Sequence, residues 1–105
     1  MAVREIAGKS VEFDDEGFMV DYKQWNEEIA KEIAKDEGID NLTGRHFDVI
    51  NYMRKVFEEK GDGPSMRALK NEGGIPTKEL YELFPKGPAR KAAKIAGIKK
   101  PTGCI

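Results

Sequence analysis

DYKQWNEEIAKEIAKDEG, residues 21–38, is the stretch whose reading decides the fold. Trp25, Ile29 and Ile33 recur every fourth residue, and Ala30 and Ala34 widen the same stripe. Apolar residues at that spacing line one face of an α-helix and leave the Glu and Lys side chains to solvent. Asp21 is placed to N-cap this helix, with Gln24 as its capping-box partner and Gly38 as its stop.

The same logic runs toward the C-terminus. Thr43 caps a second helix whose Phe47, Ile50, Met53 and Phe57 face inward, and Gly61 ends it. Pro64 and Ser65 open a short helix through Met66 and Leu69, ended by Gly73-Gly74. Thr77 caps a fourth carrying Leu80, Leu83 and Phe84, ended by Pro85. Pro88 takes the first position of the last helix, where its missing N–H costs nothing. That helix runs through Ala92, Ile95 and Ala96 to Gly97. Toward the N-terminus, Val3, Glu5 and Val11, Phe13 alternate about an Ala7-Gly8-Lys9-Ser10 turn, which reads as a β-hairpin over about residues 3–13. Asp14-Asp15-Glu16-Gly17 makes a second turn before Phe18-Met19-Val20.

Short helices joined by turns of a few residues pack at steep angles rather than as a long parallel bundle. The expected fold is therefore mainly α. It is a small orthogonal bundle of five helices around Trp25, Phe47, Phe57 and Phe84, with an N-terminal hairpin. The helices from Ser65 and Thr77 form a helix-turn-helix element. Residues 1–97 make one globular domain, and 98–105 a flexible C-terminal arm.

Composition narrows the chemistry. A chain of 105 residues is one domain's length. No apolar run reaches the ~20 residues of a membrane span, and no signal-peptide core opens the chain, so a cytoplasmic protein is expected. One cysteine and one histidine supply neither an internal disulfide nor a zinc site of four Cys/His ligands. His46, beside Phe47 near a helix start, reads as a capping or surface residue rather than a catalytic base. There is no nucleophile–base pair, phosphate loop or metal spacing, so no bound cofactor is expected.

Charge is where the sequence becomes specific. The formal net charge is −1, but Lys86, Arg90, Lys91, Lys94, Lys99 and Lys100 follow Pro85 with no acidic side chain among them. The first 85 residues hold 12 basic and 19 acidic side chains, a net −7. After Gly97 comes Ile98-Lys99-Lys100-Pro101-Thr102-Gly103-Cys104-Ile105, in which Pro101 and Gly103 stop any helix. Extended, the seven residues from Gly97 to Cys104 reach ~25 Å, far enough to enter a partner's cleft. Lysines nearby favour the reactive thiolate, while the terminal carboxylate opposes them. Cys104 is the candidate functional residue, and the Lys99–Gly103 segment carries it. Lys86, Arg90 and Lys94 add a basic surface suited to anionic sulfur species or an acidic groove.

The segments Leu83-Phe84-Pro85-Lys86-Gly87-Pro88-Ala89, Lys94-Ile95-Ala96-Gly97 and Lys100-Pro101-Thr102-Gly103-Cys104-Ile105 closely resemble the DsrC/TusE family. The Asp15-Glu16-Gly17-Phe18 turn and the Trp25 helix resemble it too. The resemblance implies an orthogonal helical bundle and a sulfur carrier whose Cys104 holds a persulfide or part of a trisulfide. It implies dissimilatory sulfite reductase catalytic subunits as partners, with siroheme and iron–sulfur cluster belonging to that enzyme. For the TusE branch it implies sulfur-relay proteins and a tRNA thiolation enzyme making 2-thiouridine. The second cysteine of DsrC proper, eleven residues before Cys104, is Ala93 here, as in TusE-like relatives. The short stretch from Asn71 to Tyr81 instead resembles DsrC of sulfite reducers.

Two other classes stay open. The helix-turn-helix could bind nucleic acid, although Glu79 and Glu82 on the would-be recognition helix oppose phosphate. The arm could also dock without chemistry, on a chain that is monomeric when free.

Overall fold

In the computed structural model, which describes residues 2–102, β1 (Ala2–Ile6) and β2 (Lys9–Phe13) form a two-stranded antiparallel sheet. Five helices follow: α1 (Glu27–Asp36), α2 (Gly44–Lys60), α3 (Met66–Asn71), α4 (Thr77–Leu83) and α5 (Pro88–Ile95). The expected class and architecture are both present.

The hairpin turns through only two residues, Ala7 (φ 49°) and Gly8 (φ 78°), as a type I′ loop requires. Ile6 therefore pairs with Lys9, and Arg4 with Val11. This puts Ile6 on the face of Val11 and Phe13, all buried, and turns Val3 outward at 65% exposure. The expectation that Val3 shares the Val11 and Phe13 pattern is thus corrected by the register, which sets even-numbered positions of β1 opposite Val11 and Phe13. On the inner face the Arg4 guanidinium lies over the Phe13 ring and pairs with Asp36 at 2.9 Å, fastening β1 to α1.

The first helix also begins later than its periodicity suggests. Asp21 caps only a 3₁₀ turn over Tyr22–Gln24, and Asn26 caps α1 by accepting from Ile29 N–H. Gln24 makes no capping box, because its side-chain oxygen accepts from Glu12 N–H. Trp25 consequently lies outside the helix, while Ile29, Ala30, Ile33 and Ala34 form the buried stripe as expected. Thr43 does cap α2, with His46 Nδ1 accepting from Thr43 N–H in a reciprocal box. His46 is a capping residue whose other ring nitrogen meets the Leu83 carbonyl at 2.9 Å. Thr77 is the first residue of α4 rather than its cap, which is Pro76.

α5 is the element on which the others converge, contacting α1, α2 and α4. Its buried positions are Pro88, Ala89, Ala92, Ala93 and Ile95, and such small side chains let three helices approach it closely. Phe84, Phe18 and Met19 fill the centre, whereas Trp25, Phe47 and Phe57 are half-buried and pack around it. Among the described residues, no helix is long and apolar enough to cross a membrane.

Candidate functional site

The site begins where α5 ends. A helix C-terminus leaves carbonyls without partners, and here two are met from outside the helix. Trp25 Nε1 donates to the Ile95 carbonyl at 2.8 Å, and Arg54 Nη1 donates to the Ala96 carbonyl at 2.8 Å. The other arm of Arg54 donates to the Tyr22 carbonyl at 3.0 Å, and its guanidinium lies 4.2 Å from the centre of the Trp25 ring. Gly97 then turns the chain with φ 70°, where the Trp25 side chain leaves no room for a Cβ. Burial pushes the Arg54 pKa down, but a guanidinium stays charged at any working pH. This clamp sets the direction in which the tail leaves the body.

Arg54→Met should therefore destabilise the fold by about 2–4 kcal/mol, since charge-assisted hydrogen bonds and a stacked cation are lost together. Urea unfolding checks it. A loss below about 1 kcal/mol would contradict this role for the clamp.

The described part of the tail does not stand off from the body. Ile98 is fully buried and donates its N–H to the Ala93 carbonyl at 3.2 Å. Pro101 is buried, and both Ile98 and Pro101 lie against Gly63. Asp62, in the turn between α2 and α3, accepts twice from Thr102: the amide reaches Oδ1 at 3.1 Å and the hydroxyl reaches Oδ2. Those donors hold the Asp62 carboxyl below the usual carboxylate range. Beside them opens a groove of about 270 Å³, with Lys60, Ser65 and Val56 in its wall and Thr102 at its edge. An arm boundary at residue 98 is corrected accordingly, because the body's apolar contacts extend through Pro101.

The basic residues meet the acidic body directly. Lys100 Nζ (3.2 Å) and Arg90 Nη2 (3.0 Å) both reach Glu16 Oε2. First the Lys100 hydrogen bond and then that of Arg90 hold the Glu16 carboxyl below its ordinary pKa. Lys94 lies 3.9 Å from Glu37 and over the Phe18 ring. Lys99 and Lys86 are exposed, the latter at φ 61°. Gly103 and Cys104 lie outside the described residues. Lys100, Pro101 and Thr102 thus sit together on one seat, and Arg90 joins them through Glu16.

Sequence reasoning missed Asp62, Glu16, Arg54 and the true place of Trp25. Asp62 and Glu16 lie 40 and 84 residues from their tail partners, so no local spacing could reveal them. On α4, Glu79 accepts from Arg45 Nε and Nη2 at 2.9 and 2.8 Å, so this carboxylate is held within the protein's own surface.

Comparison with known proteins places the chain. The model of the family described as "DsrC like protein" matches residues 5–105. The dissimilatory-type sulfite reductase subunit gamma of Nitratidesulfovibrio vulgaris is 37% identical over 105 residues, covering 100% of each chain. Sulfurtransferase TusE of Escherichia coli K12 is 41% identical, over 93% of this chain and 95% of that protein. A chain in the crystal structure of dissimilatory sulfite reductase I superposes with a TM-score of 0.87 at 38% identity, covering 99% of this chain and 100% of its own. On sequence, fold and length alike, the chain belongs to the DsrC family.

Proposed function

We propose that this chain is a cytoplasmic sulfur carrier of the gamma-subunit type that works with dissimilatory sulfite reductase, Cys104 holding the sulfur. The observation behind this reading is the end-to-end likeness to the gamma subunit, which includes the segment carrying Cys104. The Cys104 thiolate attacks the outer sulfur of a donor persulfide. The donor S–S bond breaks, its electron pair leaves on the donor thiolate, which takes up a proton, and a new S–S bond forms on Cys104. No net oxidation accompanies the exchange. Lys99 and Lys100 supply charge along the arm, Pro101 and Thr102 keep its described part non-helical, and Gly103 links it to Cys104. Arg90 and Lys94 act within the body's ion pairs, leaving Lys86 and Lys99 to meet a partner's acidic surface. Siroheme and iron–sulfur cluster belong to the partner, and this chain binds neither.

Ala93 supplies no second thiol, so a trisulfide bridge or its release needs a thiol from another molecule. The same single-cysteine pattern, with 41% identity to TusE, favours a second reading: a sulfurtransferase in the relay toward 2-thiouridine in tRNA. Affinity purification from the native cell under reducing conditions separates the two. The first reading predicts sulfite reductase catalytic subunits with siroheme absorbance in the eluate. A tRNA-thiolating enzyme in their place, with loss of 2-thiouridine on deletion, would transfer the assignment to the second.

A further inference from the structure

We propose that Asp62 is a positioning residue for the sulfur-carrying thiol, a carboxylate latch that seats the tail on the body through Thr102. The inference rests on the reading of Cys104 as the carrier. Three features of the seat support it. First, one carboxylate takes both the amide and the hydroxyl of Thr102, so each oxygen is committed to the same residue. Such charge-assisted bonds are among the stronger polar contacts available at a surface. Second, the latch lies in a turn built for close approach. An added Cβ on Gly63 would stand 2.8 Å from Ile98 Cδ1 and 3.2 Å from Pro101 Cγ. Third, the groove beside Thr102 is open and not filled by the body's own side chains.

The seat divides the tail into two parts. Ile98 is fully buried and cannot leave without opening the core. Lys100, Pro101 and Thr102 are held by Glu16, by Gly63 and by Asp62, contacts that lie beyond the hydrophobic core cluster, which ends at Ile98. With Thr102 latched, chain length confines Cys104 to within about 7 Å of Thr102 along two residues. With the latch open, six residues from Ile98 give it a reach of about 20 Å. Glu16 is the weaker tether, because an exposed ion pair to a lysine contributes little. Asp62 therefore governs whether the thiol stays by its own body or reaches a partner.

The single cysteine makes the test clean, since a nitroxide placed on Cys104 labels one position. Paramagnetic broadening of amides near the seat (Gly63, Ser65, Ala68) is measured in the unchanged chain, Asp62→Ala, Thr102→Val and the double variant. The latch predicts strong broadening in the unchanged chain. It predicts a fall in the seated-to-free ratio on the order of tenfold in Asp62→Ala, with a smaller fall in Thr102→Val. The double variant should fall no further than Asp62→Ala, because both remove one coupled interaction. Broadening that is absent from the unchanged chain, or that persists in Asp62→Ala with a native spectrum, overturns the proposal. So does a double variant whose losses add. If Asp62→Ala fails to fold, Asp62→Asn and Thr102→Val carry the same comparison. Sulfur loading of Cys104 is followed separately by mass: loading without a latch response rejects the latch alone, and a latch response without loading rejects the carrier reading alone.

Discussion

Gly97→Ala is expected to destabilise the protein by about 3–5 kcal/mol, the largest loss among single-methyl additions at the described glycines. Two costs coincide at this position. The backbone is left-handed at φ 70°, which alone costs a residue with a Cβ about 1 kcal/mol. The new methyl would also stand 2.5 Å from Trp25 Cδ1 and 2.9 Å from both Cβ and Cγ of that residue. The indole cannot yield, because its Nε1 is bonded to the Ile95 carbonyl and its face is covered by Arg54. Gly87→Ala is the matched control: its φ of 84° is equally unfavourable, but nothing lies within 4 Å of the added carbon. That variant should lose only about 1 kcal/mol. Urea unfolding of the pair decides the matter, and equal losses would show that the Trp25–Arg54 clamp is soft.

Cys104→Ser is expected to abolish sulfur loading while leaving the fold and partner docking intact. A serine hydroxyl is not ionised at working pH, and its oxygen forms no stable counterpart of a persulfide, so the exchange has no nucleophile. The core of the described residues runs from Ile6 to Ile98. The thermal midpoint should accordingly stay within about 2 °C of the unchanged chain, the shift of a near-neutral substitution. On the proposed reading docking depends on the body and the arm's cations, so the serine variant should still bind the partner and compete with the loaded chain. A serine variant supporting full turnover would show that the arm docks without carrying sulfur.

Much of this fold was legible because its signals are local. The Thr43 cap, the Gly61 stop, Ser65 before α3 and Pro88 opening α5 each depend on residues within a turn of one another. The α1 stripe was right for the same reason. Its start was misplaced because Gln24 bonds to Glu12 across the chain, leaving Asn26 as the cap. Val3 faces outward because any even-numbered loop here sets even positions of β1 opposite Val11 and Phe13, and the tight two-residue form is hidden because Ala7 gives no sign of its left-handed φ. At the site, Cys104 stands out by its chemistry and by the residues around it. The seat does not, since its acidic half comes from the 61–64 turn and the 14–17 turn, which meet the tail only in three dimensions. The basic character of the last segment was read correctly, but the opposing carboxylates that absorb much of it were invisible in sequence.

The most direct test of the sulfur-carrier reading is intact-protein mass spectrometry after incubation with a low-molecular-weight persulfide donor, followed by peptide mapping. The account predicts a gain of roughly 32 Da, one sulfur atom, located on Cys104 and removed by a reducing thiol. No gain in the unchanged chain, or the same gain in Cys104→Ser, would contradict it.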